Sequence, residues 1–201
     1  VTQVLLFCGS QRRDSYNARL LQHMAWSLQW QCACDTLLPQ DVALPLFDQD
    51  LEHDAATVQR VHSVAQRFAR CDALVVACPE YNGQATPYLK NTVDWVTRLQ
   101  HLENGTGAHA TPAPFLDKPV LLCSASTGWS GGALAIVQLR ALFGYVGANV
   151  LGPSISVAHA EQRWSDAGYS FSASTEAHID YALQRLLAAA GSAAVARTEA
   201  A

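Results

Sequence analysis

Extended apolar runs alternate with segments of helical period along most of this chain, and few folds accept that order. The runs are Val1–Cys8, Cys32–Leu38, Ala73–Cys78, Val120–Cys123 and a short fifth, Asn149–Leu151, which Ile155–Val157 can extend. Between and after them, apolar residues recur at helical spacing. Leu20, Leu21, Met24, Ala25 and Leu28 mark one face, and Val58, Val61, Ala65 and Phe68 a second. Leu89, Val93 and Val96 mark a third, Leu134, Val137, Leu142 and Val146 a fourth, and Ile179, Leu183, Leu186 and Leu187 a fifth. Strands that alternate with helices imply a parallel sheet covered on both faces, so the expectation is a five-stranded α/β sandwich.

Composition narrows the class. Half of the 201 residues are hydrophobic and 15% are charged, which excludes a disordered chain. Every apolar run ends well short of the ~18 residues of a membrane span. A net charge of −4 offers no basic surface for nucleic acid or an acidic membrane. The first residues run from strand into Cys8-Gly9-Ser10 with no basic region or cleavage pattern, so they read as strand and not as signal peptide. Six cysteines are too sparse for a disulfide scaffold and imply a reducing, cytoplasmic setting. Without a repeat or a linker, residues 1–187 are expected to form a single domain, with 188–201 an Ala-rich tail that frays.

Two stretches break the pattern. Gln100–Asp117 has no periodic apolar face, and its length suits a functional loop or lid. Ala158–Ser174 is irregular and carries Trp164, Tyr169 and Phe171, equally suited to an arm on a partner subunit.

Ligands of open parallel sheets bind beyond the carboxyl ends of the strands. After the first run comes Gly9-Ser10-Gln11-Arg12-Arg13-Asp14-Ser15-Tyr16-Asn17, rich in donors and leading into a helix. Free N–H groups, the helix dipole, two hydroxyls, an amide and a guanidinium together make an anion site there. The segment has neither the dinucleotide glycine fingerprint nor a Walker lysine. After the third run, Asn82-Gly83 permits a turn with positive φ, and Pro87 opens a helix. After the fourth, Ser124–Gly132 is a small-residue loop suited to close contact with a planar ring. Three such loops at one edge form a cleft.

GSQRRDSYNARL, PEYNGQATPYLKNTVDW and LDKPVLLCSASTGWSGGALAIVQLRALF resemble the NADPH-dependent FMN reductase family of flavodoxin-like quinone, azo-dye and chromate reductases. The match spans most of Leu5–Leu151, and PEYN followed by LKNxxDW is its most specific part. The resemblance implies a flavodoxin-like sandwich of strand order 2-1-3-4-5, with FMN at its carboxyl edge. It implies FMN phosphate at Ser10, Arg12, Ser15 and Asn17 with Tyr16 beside them, and the isoalloxazine against Pro79, Glu80, Tyr81, Asn82 and Gly83. Ser124, Ser126 and Gly128 would line the far side. NADPH or NADH would be the co-substrate and a quinone, azo compound, metal oxyanion or free flavin the acceptor, by a ping-pong route needing no catalytic side chain. A homodimer or homotetramer is implied. The alternative is a flavodoxin-type electron carrier, whose usual strong acidity the mild −4 does not match.

Other residues are expected to have ordinary roles. Cys8, Cys78 and Cys123 end three strands as packing residues, and Cys32 and Cys34, read as facing opposite surfaces of the sheet, are expected to share no metal. His101, His109 and His159 lack zinc-site spacing. Trp26 and Trp30, four apart, either widen the core or cover a subunit interface. Asp94 pairs locally and forms no acid/base pair with Glu80.

Overall fold

In a computed structural model, which describes residues 1–98 and 113–199, the apolar runs form the central sheet. Strands β1 (Gln3–Cys8), β2 (Ala33–Leu37), β3 (Ala73–Ala77) and β4 (Pro119–Ala125) pair in parallel. The fifth position is shared by two short strands: β5 (Asn149–Val150) pairs with the start of β4 and β6 (Ile155–Val157) with its end. The order is β2-β1-β3-β4-β5, as expected, with β6 as an additional strand on β4. Pro153 lies between β5 and β6, where a residue without an N–H cannot continue the ladder.

Alternation along the strands builds two cores. Val4, Leu6 and Cys8 face α1 (Tyr16–Leu28) and α6 (Ala173–Glu199), packing with Leu20, Met24, Ile179 and Leu183. Leu5 and Phe7 face α2 (Ala55–Arg70), α3 (Pro87–Thr97) and α4 (Ala133–Tyr145), packing with Phe68, Leu89, Val93 and Leu139. Each fully buried Leu or Phe side chain contributes about 1.5–3 kcal/mol of transfer free energy, so the strands are held from both sides. Polar caps start the helices: Ser15 on α1, Asp54 on α2, and Thr86 followed by Pro87 on α3.

Three expectations are corrected. On α4 the buried residues are Ala135, Ile136, Leu139 and Phe143, while Leu134 and Val137 are 57% and 65% exposed. A helix apolar all round does not reveal by periodicity which side faces in. Trp26 and Trp30 are 75% and 89% exposed and widen no core. Helix α6 includes Ala-rich residues as far as Glu199, with Ala190 buried, in keeping with alanine's helix propensity. Residues 158–174 fold back on their own chain as α5 (Ala160–Arg163) and a hairpin of β7 (Trp164–Ser165) with β8 (Gly168–Tyr169). There the Tyr169 hydroxyl donates to the Tyr16 carbonyl at 2.9 Å, and Tyr169 stacks on Phe171. Most of the loop at 100–117 lies outside the described residues, as do His101 and His109.

Candidate active site

Parallel strands deliver all three loops to one edge. The first is tied to the sheet by the Gly9 N–H, which donates to the Ala77 carbonyl at 2.8 Å, and by the Thr86 hydroxyl, which donates to the Gly9 carbonyl at 2.6 Å. Ser10 and Ser15 are 4% and 3% exposed. The Ser10 Oγ accepts from the Arg12 N–H at 3.3 Å, and the Ser15 Oγ accepts from the Ala18 N–H at 3.3 Å. Each hydroxyl therefore keeps its proton for another acceptor at the positive end of α1. Arg12 lies 5.1 Å from the Tyr16 ring centre, and Arg19 bridges that ring to Trp164.

Asn17 does something the sequence does not reveal. Its Nδ2 donates to the Ala125 carbonyl at 2.8 Å and its Oδ1 accepts from the Ala125 N–H at 2.9 Å, so a buried amide clamps the start of α1 to the end of β4. Its partner is 108 residues away, and no local signal marks it.

In the second loop, Tyr81 and Gln84 exchange backbone hydrogen bonds of 2.9 and 3.0 Å around Asn82 and Gly83, whose φ values are +52° and +77°. This is the expected turn, with both central residues in the left-handed region as a two-residue hairpin of type I′ requires. The following helix secures a neighbouring segment. Asn91 donates to the Pro45 carbonyl at 2.9 Å and accepts from the Phe47 N–H at 2.7 Å, while Trp95 donates to Pro45 at 2.8 Å. Asp94 pairs with Lys90 one turn earlier, as expected.

In the third loop, Ser126 accepts from the Gly128 N–H at 3.1 Å. Ser124 is fully buried beneath Gly132, where a Cβ would stand 1.9 Å from the Ser124 Oγ, and that oxygen has no hydrogen-bond partner. The Glu80 carboxylate crosses from the second loop to the third and accepts from the Leu134 and Ala135 N–H groups at 2.9 and 3.2 Å.

The loops enclose a cavity of about 190 Å³ lined by Ser10, Arg12, Ser15, Tyr16, Asn17, Pro79, Glu80, Tyr81, Ala125, Ser126 and Thr127. Nine of the anticipated residues thus share one wall system. Asn82 and Gly83 lie in the adjoining turn, and Gly128 follows the lining residues in the third loop. Ala125 and Thr127 were not anticipated, although they alternate with residues that were. A separate hollow of about 340 Å³ between α1 and the β7–β8 hairpin lies away from these loops.

Three buried thiols lie on or just after these strands. Burial pushes Cys8 and Cys78 up, and Cys123 further, so all three are protonated packing residues at neutral pH. At the far end of the sheet the Cys32 and Cys34 sulfurs stand 3.8 Å apart, Cys32 just before β2 and Cys34 within it, so the two side chains lie on the same side and not on opposite surfaces as expected. Among the described residues no group of three or more His, Cys, Asp or Glu side chains could hold a metal ion.

The model of the NADPH-dependent FMN reductase family matches residues 2–162. The chain belongs to this family. A quinone reductase of Escherichia coli (strain K12) is 31% identical over 152 residues, covering 74% of this chain and 73% of the relative. A 2-hydroxy-1,4-benzoquinone reductase of a Burkholderia species is 28% identical over 186 residues, covering 88% and 90%. The solved structure of FerB, a flavoenzyme NAD(P)H:(acceptor) oxidoreductase from Paracoccus denitrificans, superposes with a TM-score of 0.78 at 23% identity, covering 96% of this chain and 98% of that one, and shares its fold. Membership makes the chain an oxidoreductase of the flavodoxin-like class that works with FMN and NAD(P)H. Among the described residues, no helix is long and apolar enough to cross a membrane.

Proposed function

We propose that this reductase takes a hydride from NADPH or NADH onto FMN held in the three-loop cleft and passes two electrons to a quinone in the same cleft, by a ping-pong sequence. The observation that carries the reading is the convergence of the two buried hydroxyls at the start of α1 with Pro79–Tyr81 and Ser126–Thr127 around one open cavity. The names of the relatives support a quinone as acceptor, ahead of an azo compound, a metal oxyanion or free flavin.

The donor set fits a terminal phosphate. Ser10 and Ser15 each have a hydroxyl proton to give, the first N–H groups of α1 point the same way, and Arg12 supplies positive charge. Asn17 acts through Ala125, holding the end of β4 where Ser126 can reach the cofactor. Pro79, Tyr81 and the Asn82-Gly83 turn form one side of the ring site and Ser126 with Gly128 the other, while Ser124 supports the third loop from below. Bound FMN supplies the hydride and electron chemistry, so the side chains need only bind, orient and shield. No residue serves as a general base.

Assembly follows from exposed apolar surface. Trp129, then Leu134, Val137 and Tyr145 along α4, are 57–92% exposed and form an apolar stripe that starts at the cleft, and Trp26 and Trp30 form a second apolar face. Two such faces suit a homodimer or homotetramer. Light scattering should give at least twice the mass of one chain, and Val137→Glu should lower it; a monomer at micromolar concentration contradicts this. All six cysteines are free thiols, which supports a cytoplasmic setting.

Steady-state rates with varied NADPH and a benzoquinone test the mechanism. Parallel double-reciprocal lines are expected. Intersecting lines, or turnover only when a protein partner is supplied, would overturn it.

A further inference from the structure

Helix α4 begins without a cap of its own. Gly132 at the N-cap position has φ of +82° and no side chain, and the first turn holds no acidic residue. The second and third N–H groups of the helix instead find Glu80 Oε2, which reaches them from a loop 54 residues earlier. A Cβ on Gly132 would stand only 3.7 Å from the Glu80 Cβ, so the two loops are in contact at this point. A carboxylate at a helix N-terminus is held by both hydrogen bonding and the helix dipole.

We infer that Glu80 is a positioning residue: its carboxylate caps α4 from the opposite loop and thereby sets the gap between Pro79–Tyr81 and Ser126–Thr127. The inference deepens the proposed function, because that gap is where the FMN ring is proposed to lie. Glu80 immediately precedes the tight turn at Tyr81–Gln84, so fixing its side chain fixes the turn. The cleft is then shaped by contacts within the protein before cofactor enters, which spares FMN the cost of ordering the loop.

The test compares Glu80→Ala, Glu80→Gln and Glu80→Asp in the full-length protein. Two readouts are taken: amide hydrogen exchange at Leu134 and Ala135, with and without FMN, and the FMN dissociation constant. Glutamine keeps the reach and an acceptor oxygen, whereas aspartate keeps the charge but is one methylene short. The cap role therefore predicts that Gln, losing only the charge's share, keeps more protection and more FMN affinity than Asp, and that Asp behaves like Ala. Loss of a hydrogen-bonded carboxylate should raise exchange and weaken FMN by roughly 10–100-fold in Glu80→Ala. A direct charge effect on the flavin predicts the reverse order, with Asp retaining affinity and Gln losing it, and wild-type exchange at α4. That order would overturn the inference, as would faster exchange with unchanged FMN affinity. If Glu80→Ala does not fold, the Gln-against-Asp order still decides. Failure of wild-type protein to bind FMN would count against the proposed function alone, since the exchange pattern reads the cap without cofactor.

Discussion

Replacing Asn17 by alanine separates a clamp from a phosphate ligand. The side chain is 2% exposed and makes both of its resolved hydrogen bonds to Ala125, itself 2% exposed. Truncation leaves the Ala125 N–H and carbonyl without partners, and each orphaned buried group costs about 1–3 kcal/mol. Water can enter from the neighbouring cavity and relieve part of that, so the expected loss is about 2–4 kcal/mol. For a chain of this size that corresponds to roughly 5–15 °C in Tm. The assay is urea or thermal unfolding of the FMN-free protein, beside an FMN titration. Asn17→Ala should be destabilised by that amount with no flavin present. If the FMN-free variant stays within about 0.5 kcal/mol of wild type, the ordinary scatter for a surface change, while FMN affinity alone collapses, the clamp is refuted and Asn17 is a phosphate ligand.

The loop glycines should differ in tolerance. Gly132→Ala places a Cβ 1.9 Å from the Ser124 Oγ at a φ of +82° and should cost about 2–5 kcal/mol, whereas Gly83→Ala meets only Leu134 at 3.5 Å and should cost about 1–2 kcal/mol for its positive φ. Equal melting points for the two would contradict this. Cys78→Ser should keep most activity, because a hydroxyl can donate to the Pro79 carbonyl and accept from the Thr86 N–H as the thiol does; a folded, FMN-loaded but inactive variant would instead mark a redox thiol. Cys34 is exposed, yet burial of its sulfur and the neighbouring Cys32 push it up to about 12. Because the thiolate is the reactive form, its alkylation in native protein should be slow at pH 8 and rise about tenfold per pH unit towards 12. A plateau below pH 9 would contradict that.

Much of the fold is legible from local pattern. Five apolar runs separated by helical segments lead to the sheet and its direction, and the segment ending at Asn17 and Pro87 lead into helices that begin at Tyr16 and Pro87. The facing of α4 is not legible, because Leu134 and Val137 are as apolar as the Leu139 and Phe143 that go inside. In the cleft, the sequence names loops that the sheet brings to one edge, but not the contacts that each side chain makes there. Asn17 and Glu80 are polar residues beside an expected ligand, and a sequence offers the ligand as their partner. Their partners in the structure are backbone groups of Ala125, Leu134 and Ala135, brought near only by the sheet order. Cys32 and Cys34 were expected to face opposite surfaces, yet the bend that leads into β2 brings their sulfurs within 3.8 Å.

The central claim is that this chain oxidises NAD(P)H itself, through flavin held in its own cleft. Anaerobic addition of NADPH to the purified FMN-loaded protein, with no partner present, tests it most directly. The flavin's visible absorbance should bleach with about one equivalent of nicotinamide per FMN, since hydride carries two electrons, and return on addition of a benzoquinone. Flavin that stays oxidised until a separate reductase protein is supplied would contradict the account and make the chain an electron carrier.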